Sequence, residues 1–187
     1  MTAASWPDHL LTLAEWDALP QDTSRCYELV EGVLLVVPRP ALLHQRAMWR
    51  LCSQIENQLP AELTVLPDVE VLVKAGEPPT VRAPDIVIIR EDRAAANPSR
   101  LEAADVLVAV EIISPGTGTT DRVTKMYEYA DAGISHYWLV DLDKPVTLTA
   151  YTLVDGNYEH VVRDIAGTVT IPSPVGITLN LDALITR

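Results

Sequence analysis

Apolar positions repeat along this chain with two periods, one typical of helices and one typical of strands. In residues 41–59 an apolar residue stands at every fourth position, namely 43, 47, 51, 55 and 59, which predicts one long helix with an apolar face. In "TLAEWDAL", Thr12 precedes Glu15 by three residues, the spacing of a capping box. That spacing predicts a short helix from about 13 to 19.

Runs rich in Val, Ile and Leu predict strands in the middle of the chain. "CYELVEGVLLVVP" contains two such runs around Glu31-Gly32, and because glycine accepts positive φ in a tight turn, the segment predicts a hairpin. Further strands are predicted at 69–73, 85–89 and 105–113. The last two are almost entirely apolar, as expected for central strands covered on both faces.

The second half of the chain begins with the breaker-rich stretch "SPGTGTT". We predict that this stretch is a mobile loop over the site, followed by a helix in "TTDRVTKMYEYADAG" and a strand in "HYWLVDL". "VTLTAYTLV", "NYEHVV" and "TVTI" predict a meander, and "LDALIT" a short final helix. The order predicts a mixed α/β (α+β) fold, a central β-sheet flanked by helices, in one domain over residues 1–187.

Composition and charge narrow the class of protein. No apolar stretch approaches the ~18 residues of a membrane span, and the first residues lack the pattern of a secretory signal, so we expect a cytoplasmic protein without membrane contact. Cys26 and Cys52 are expected to be free. The net charge of −12 argues against a broad basic face that coats nucleic acid. A nucleic-acid enzyme with a local basic strip or bound metal ions remains possible.

Two carboxylates stand out because of their apolar neighbours. Glu111 lies within "VLVAVEIIS", where an unpaired charge would be costly, so it is either bound to a metal, catalytic, or paired with an Arg or Lys at the sheet edge. Asp85 precedes "IVII", although Pro-Asp is also a common way to begin a strand after a turn. If the two strands are neighbours, both carboxylates could bind one Mg²⁺, which prefers oxygen ligands.

A cation follows on the next predicted helix. Lys125 is four residues after Asp121, and Tyr129 is one turn further, so the three share a helix face. Lys125 either forms an exposed ion pair with Asp121 or points into the carboxylate site, where it could polarise a water or stabilise charge on a phosphate.

These residues together resemble the PD-(D/E)XK nuclease superfamily, and within it the Uma-two family of restriction-endonuclease-like proteins. The resemblance covers residues 12 to about 142. It departs from the superfamily pattern at Ile113, where the E-X-K form has Lys, and Lys125 is then the replacement. The stretches that carry it are "YELVEG", the His of "ALLHQ", "APDIVII", "LVAVEIISP", the Asp, Lys and Tyr at 121, 125 and 129, and "GISHYWLVD".

The resemblance implies a role for each matching residue. Asp85 and Glu111 would hold Mg²⁺ or Mn²⁺, with the backbone carbonyl of Ile112 as a further ligand. Lys125 would orient the attacking water, and Glu28 would complete or orient the site. The sequence does not decide whether His44 contacts the site or is a satisfied interface histidine, and Glu31 is more simply a turn residue beside Gly32.

The function predicted from the carboxylates and the resemblance is a metal-dependent endonuclease, with DNA as the expected substrate. A homodimer would suit cleavage of both strands, although the sequence shows no interface. Two alternatives remain open: a noncatalytic binding or interaction module that kept the fold, and a metal-dependent phosphoesterase acting on a small substrate.

Overall fold

The computed structural model describes residues 7–19, 26–113 and 120–186. The predicted helices and strands occur in the predicted order, together with several elements that were not predicted. The predicted loop "SPGTGTT" lies outside these residues except for its last position. Within them the α-helices are α1 (Leu13–Asp17), α2 (Leu42–Glu56), α3 (Glu91–Ala95), α4 (Met126–Asp131) and α5 (Asp182–Ile185). The strands are β1 (Cys26–Val30), β2 (Val33–Val37), β3 (Leu63–Pro67), β4 (Val71–Lys74), β5 (Thr80–Arg82), β6 (Ile86–Arg90), β7 (Leu101–Glu102), β8 (Val106–Ile113), β9 (His136–Asp141), β10 (Thr147–Val154), β11 (Asn157–Ala166), β12 (Thr168–Ile171) and β13 (Ile177–Asn180).

A six-stranded mixed sheet forms the centre of the fold, in the order β11-β10-β9-β8-β6-β3. The two predicted apolar strands, β6 and β8, are antiparallel neighbours inside it, and β8 pairs in parallel with β9. Every residue of β6 except its last is buried, as expected for a strand covered on both faces. The predicted mixed sheet flanked by helices is therefore confirmed, whereas one domain over residues 1–187 remains a prediction.

A five-stranded sheet, in the order β2-β1-β5-β4-β7, lies beside the central one. Its first two strands form the predicted hairpin, and both turn residues have positive φ, 47° at Glu31 and 76° at Gly32. A Cβ at Gly32 would lie 2.9 Å from the Cβ of Leu10, so the turn requires glycine for its space as well as its conformation. β5 and β7 were not predicted, because two or three residues show no recognisable period.

The predicted meander is only partly correct. β9, β10 and β11 follow one another in the central sheet, but "TVTI" leaves it and pairs with β13 in a separate two-stranded sheet. Val169 and Ile171 bury their side chains against the main core, as do Ile177 and Leu179 of the partner strand. The alternation of apolar residues showed which face is buried but could not show which strand is the partner.

Helix α2 carries its apolar residues on one side, but the predicted apolar face is wrong at its first position. Ala47, Leu51 and Ile55 are buried as predicted, but Leu43 is 43% exposed and His44 is buried instead. An α-helix repeats every 3.6 residues, so positions spaced by four drift around the axis, and the buried set begins three residues before Ala47. The predicted face therefore placed the first residue on the wrong side.

The segment before α4 is helical but begins with a wider turn. Residues Thr120–Lys125 form a π-helical turn that continues directly into α4, and Gly133 follows with a φ of 80°. The predicted helix is thus confirmed at its end, while the π turn was not predicted. Such turns often occur at functional sites. Within the described residues no helix is long and apolar enough to cross a membrane.

Substitutions of two leucines of α2 test how much burial in the main core contributes to the stability of the protein. Leu51 is fully buried, whereas Leu42 is 90% exposed on the same helix. Leu51→Ala should lower the free energy of unfolding by about 2 to 5 kcal/mol, because it removes buried methyl groups and leaves a cavity. Leu42→Ala should have little effect. Urea denaturation of both variants measures the difference, and equal losses would contradict this packing of α2.

Candidate active site

Asp85 and Glu111 lie level with each other at the paired ends of β6 and β8. In the pairing of β6 with β8, Ile86 is opposite Val110, so Asp85, one residue before β6, comes beside Glu111. Glu111 lies within β8 and is 2% exposed. The structure therefore brings together the two carboxylates that the sequence singled out, with Asp85 just ahead of its strand instead of within it.

The carboxylate of Asp85 is held by two nitrogen atoms. Its Oδ2 accepts a hydrogen bond from the backbone N–H of Ile112 at 2.7 Å and lies 3.2 Å from Nε2 of His44. The same Nε2 lies 3.0 Å from the carbonyl oxygen of Ile112. His44, which the sequence left undecided, is thus in contact with two predicted site groups. Burial lowers the pKa of His44, but Asp85 and the Ile112 carbonyl raise it by more.

Glu111 has a partner at each carboxyl oxygen. Oε2 lies 2.9 Å from Nζ of Lys125, and Oε1 accepts a 2.8 Å hydrogen bond from the hydroxyl of Tyr129. Burial raises the pKa of Glu111 to about 8, with Asp85 and Asp121 adding to the rise and Lys125 opposing it. Glu111 is therefore a buried carboxyl group with one cationic neighbour, Lys125, and two acidic ones.

Lys125 ends the π turn and points inward. Besides Glu111, its Nζ lies 3.4 Å from Oδ1 of Asp121 and 3.8 Å from Oε1 of Glu28. Burial lowers the pKa of Lys125, but these three carboxylates raise it by more and keep the lysine charged. The ion pair with Asp121 exists, but both residues are buried, so the alternative of an exposed pair is wrong.

Arg82 joins the site to the five-stranded sheet and was missed by the sequence analysis. Its guanidinium donates to Oε2 of Glu28 at 2.8 Å and binds both carboxylate oxygens of Glu128 on α4, at 2.7 and 2.8 Å. Arg82 is 2% exposed, which is rare for an arginine. Its place two residues before the Pro84-Asp85 pair was the only sequence signal, and that signal does not distinguish it from other arginines.

Glu31 and Ile113 have structural roles outside the charged cluster. Glu31 is a turn residue whose carboxylate pairs with exposed Lys74 at 3.3 Å, away from the buried cluster. Ile113, where the superfamily pattern has lysine, is half-buried and packs against the core cluster that contains Tyr129 and Leu139.

The charges of the site do not balance. Five carboxyl groups face two permanent cations, Arg82 and Lys125, which leaves three negative charges when every carboxyl is ionised. This excess and the oxygen-rich donor set fit a hard divalent cation held by one or two carboxylates and a carbonyl. Within the described residues, no three side chains of His, Cys, Asp or Glu are arranged to hold a metal on their own. The five carboxyl groups belong to Glu28, Asp85, Glu111, Asp121 and Glu128.

A mixed sheet flanked by helices, with carboxylates at the adjoining ends of two central strands, defines a restriction-endonuclease-like fold. The chain belongs to the Uma2 family, described as "Putative restriction endonuclease", which matches residues 13–182 and confirms the resemblance seen in the sequence.

A solved structure shares this fold. It is a protein from Anabaena variabilis described as a "putative nuclease belonging to DUF820", with a TM-score of 0.71 and 21% sequence identity. The match covers 94% of this chain and 97% of the other. No curated protein matches the chain.

The buried position of Arg82 leads to a stability prediction. Arg82→Met should lower the free energy of unfolding by about 3 to 5 kcal/mol, because Glu28 and Glu128 would lose their buried cation. Arg90→Met is the control, since Arg90 pairs with Asp92 at the exposed surface and should contribute little. Urea denaturation compares the two, and a loss for Arg82→Met no larger than for Arg90→Met would show that the buried network is not stabilising.

Proposed function

We propose that this protein is a metal-dependent endonuclease that hydrolyses phosphodiester bonds, with DNA as its substrate. The observation that carries the proposal is the meeting of Asp85, Glu111 and Lys125 at the adjoining ends of β6 and β8. Membership of the Uma2 family and the likeness to a protein described as a nuclease support it.

The proposed metal is Mg²⁺ or Mn²⁺, held by Asp85, Glu111 and the backbone carbonyl of Ile112. When bound, such an ion neutralises charge on the phosphate and activates a water for in-line attack at phosphorus. The excess of negative charge at the site supports this assignment, because a divalent cation would favour the ionised form of Glu111 that burial disfavours.

The remaining residues of the site are proposed to position the water and the metal ligands and to stabilise negative charge. Lys125 carries the ammonium group nearest to Glu111 and is proposed to orient the water and stabilise negative charge that develops on the phosphate. Tyr129 fixes one oxygen of Glu111 by its hydrogen bond. Glu28 is held by Arg82 and lies near Lys125, so it is proposed to keep the lysine in place. A homodimer remains a prediction, since paired sites can cut both strands.

One observation favours a noncatalytic module instead. Lys125 is surrounded by three carboxylates, and both oxygens of Glu111 already have partners. A cluster in which the lysine and both oxygens of Glu111 already have partners would suit the structural core of a binding module. The two functions differ in a simple respect, because only the nuclease requires cleavage that depends on a divalent cation.

Cleavage assays on purified variants test the proposed nuclease. Supercoiled, linear and single-stranded DNA, and RNA, are incubated with Mg²⁺ or Mn²⁺. Asp85→Asn and Glu111→Gln should each abolish cleavage and leave the protein folded, because each removes one of several like charges that lie close together. The control is Asp131→Asn, an exposed carboxyl at the end of α4, which should cleave normally. Full activity of either site variant, or no cleavage by the folded unaltered chain, would contradict the proposal.

Lys125→Ala separates chemistry from metal binding. We expect a loss of about 10²- to 10³-fold in the single-turnover rate, as for removal of another group that stabilises transition-state charge. Metal affinity should change much less, because lysine is not a proposed ligand. Rapid-quench kinetics at saturating metal measures the rate, and calorimetry the affinity. An unchanged rate would assign Lys125 a purely structural role.

A further inference from the structure

His44 is a buried residue of this site whose role the proposed function leaves unassigned. It extends from the first turn of α2 and is 5% exposed. Its Nε2 lies within hydrogen-bond distance of Oδ2 of Asp85 and of the carbonyl oxygen of Ile112. Both neighbours are hydrogen-bond acceptors, so we assign a ring proton to Nε2.

We propose that His44 is a positioning residue of the metal centre, whose Nε2–H holds Asp85 and the Ile112 carbonyl in the arrangement that a cation requires. This inference rests on the proposed function, since it concerns two of the proposed ligands. The two oxygen atoms belong to Asp85 and to Ile112, so the proton on Nε2 ties the end of β8 to the segment before β6.

The hydrogen bonds to Asp85 determine which of its oxygens is free. Oδ2 already accepts from the backbone N–H of Ile112 and from His44, which uses its two lone pairs in the carboxylate plane. Within the described residues no hydrogen bond reaches Oδ1. His44 and Ile112 therefore fix one oxygen and leave the other for the metal ion.

Helix α2 gives His44 a fixed position. Ala47, Leu51 and Ile55 follow His44 along the same face and are fully buried in the core that also contains residues of β6 and β8. An imidazole anchored in this way loses little further freedom when it donates to Asp85, which is the condition for effective positioning.

A direct metal–histidine bond is the alternative, and the other ring nitrogen argues against it. Nδ1 of His44 is buried and has no hydrogen-bond partner among the described residues. To bind a metal, Nε2 would have to carry no proton. In a neutral ring the proton would then lie on Nδ1, where it would be buried without a hydrogen-bond acceptor among the described residues. Histidines that bind metals almost always donate their second ring N–H to a carboxylate, carbonyl or water.

Metal titration of four variants tests this role without measuring activity. His44→Leu removes the donor, whereas His44→Gln places an amide N–H where Nε2 was. The control is His136→Leu, another buried histidine, which lies on β9 opposite Val108, three residues along β8 from Glu111. Asp85→Asn tests the metal centre itself. Calorimetry with Mn²⁺ and Mg²⁺ gives the affinities, and pulsed electron paramagnetic resonance of bound Mn²⁺ detects any nitrogen ligand.

We expect His44→Leu to weaken binding of both ions by about 10- to 100-fold, the usual effect of losing a residue that orients metal ligands. His44→Gln and His136→Leu should bind close to normally, and the Mn²⁺ spectrum of the unaltered chain should show no imidazole nitrogen coupling. The spectrum requires no variant and remains informative if His44→Leu fails to fold.

Three outcomes would overturn the inference. Normal binding by His44→Leu would show that the hydrogen bonds do not matter, and a nitrogen coupling would make His44 a ligand. In both of those cases the metal centre would stand if Asp85→Asn abolishes binding. No metal binding by the unaltered chain would overturn the metal centre and the role of His44 together.

Discussion

Burial of like charge is the constraint on which the site depends. Carboxyl groups taken out of water next to one another are stable only if cations or protons offset them, and a buried charge without a partner is costly. Arg82 and Lys125 supply two permanent charges, and each of them contacts Glu28. The guanidinium also binds Glu128, so the same ion pairs that offset the charge fasten α4 to the five-stranded sheet.

The charged cluster joins the two sheets, which also share an apolar core. Glu28 and Arg82 come from the five-stranded sheet, Glu111 from the central sheet, and Lys125 from the helix that connects β8 to β9. His44 adds a contact from α2 to Asp85. Four separate parts of the fold are therefore held together at one point by charged and polar groups, while the apolar cores on either side fix the directions from which those groups approach.

The sequence was sufficient to identify a site residue where a charged side chain lies among apolar neighbours. Glu111 was recognisable because a carboxylate within an apolar strand has few explanations, and the pairing of β6 with β8 then brought Asp85 beside it. Lys125 needed the family resemblance, because four-residue spacing from Asp121 fits a surface pair equally well. Arg82 does not lie within an apolar run, so its sequence neighbours did not mark it as buried. Its burial results from the pairing of β5 with β1 and β4, which involves residues distant in sequence and is not visible in any local pattern.

The separation of the partners along the chain has a consequence for the order in which the site assembles. Glu111 and Tyr129 are 18 residues apart and belong to one strand–helix crossover, so their hydrogen bond closes a short loop. Glu28 and Arg82 are 54 residues apart, and His44 and Ile112 are 68 apart, so their contacts close longer loops at a greater entropic cost. Contacts between distant residues generally form more slowly than local ones. The part of the site carried by the crossover can therefore form early in folding, whereas the arrangement around Asp85 is complete only when α2 has docked beside β6 and β8 of the central sheet.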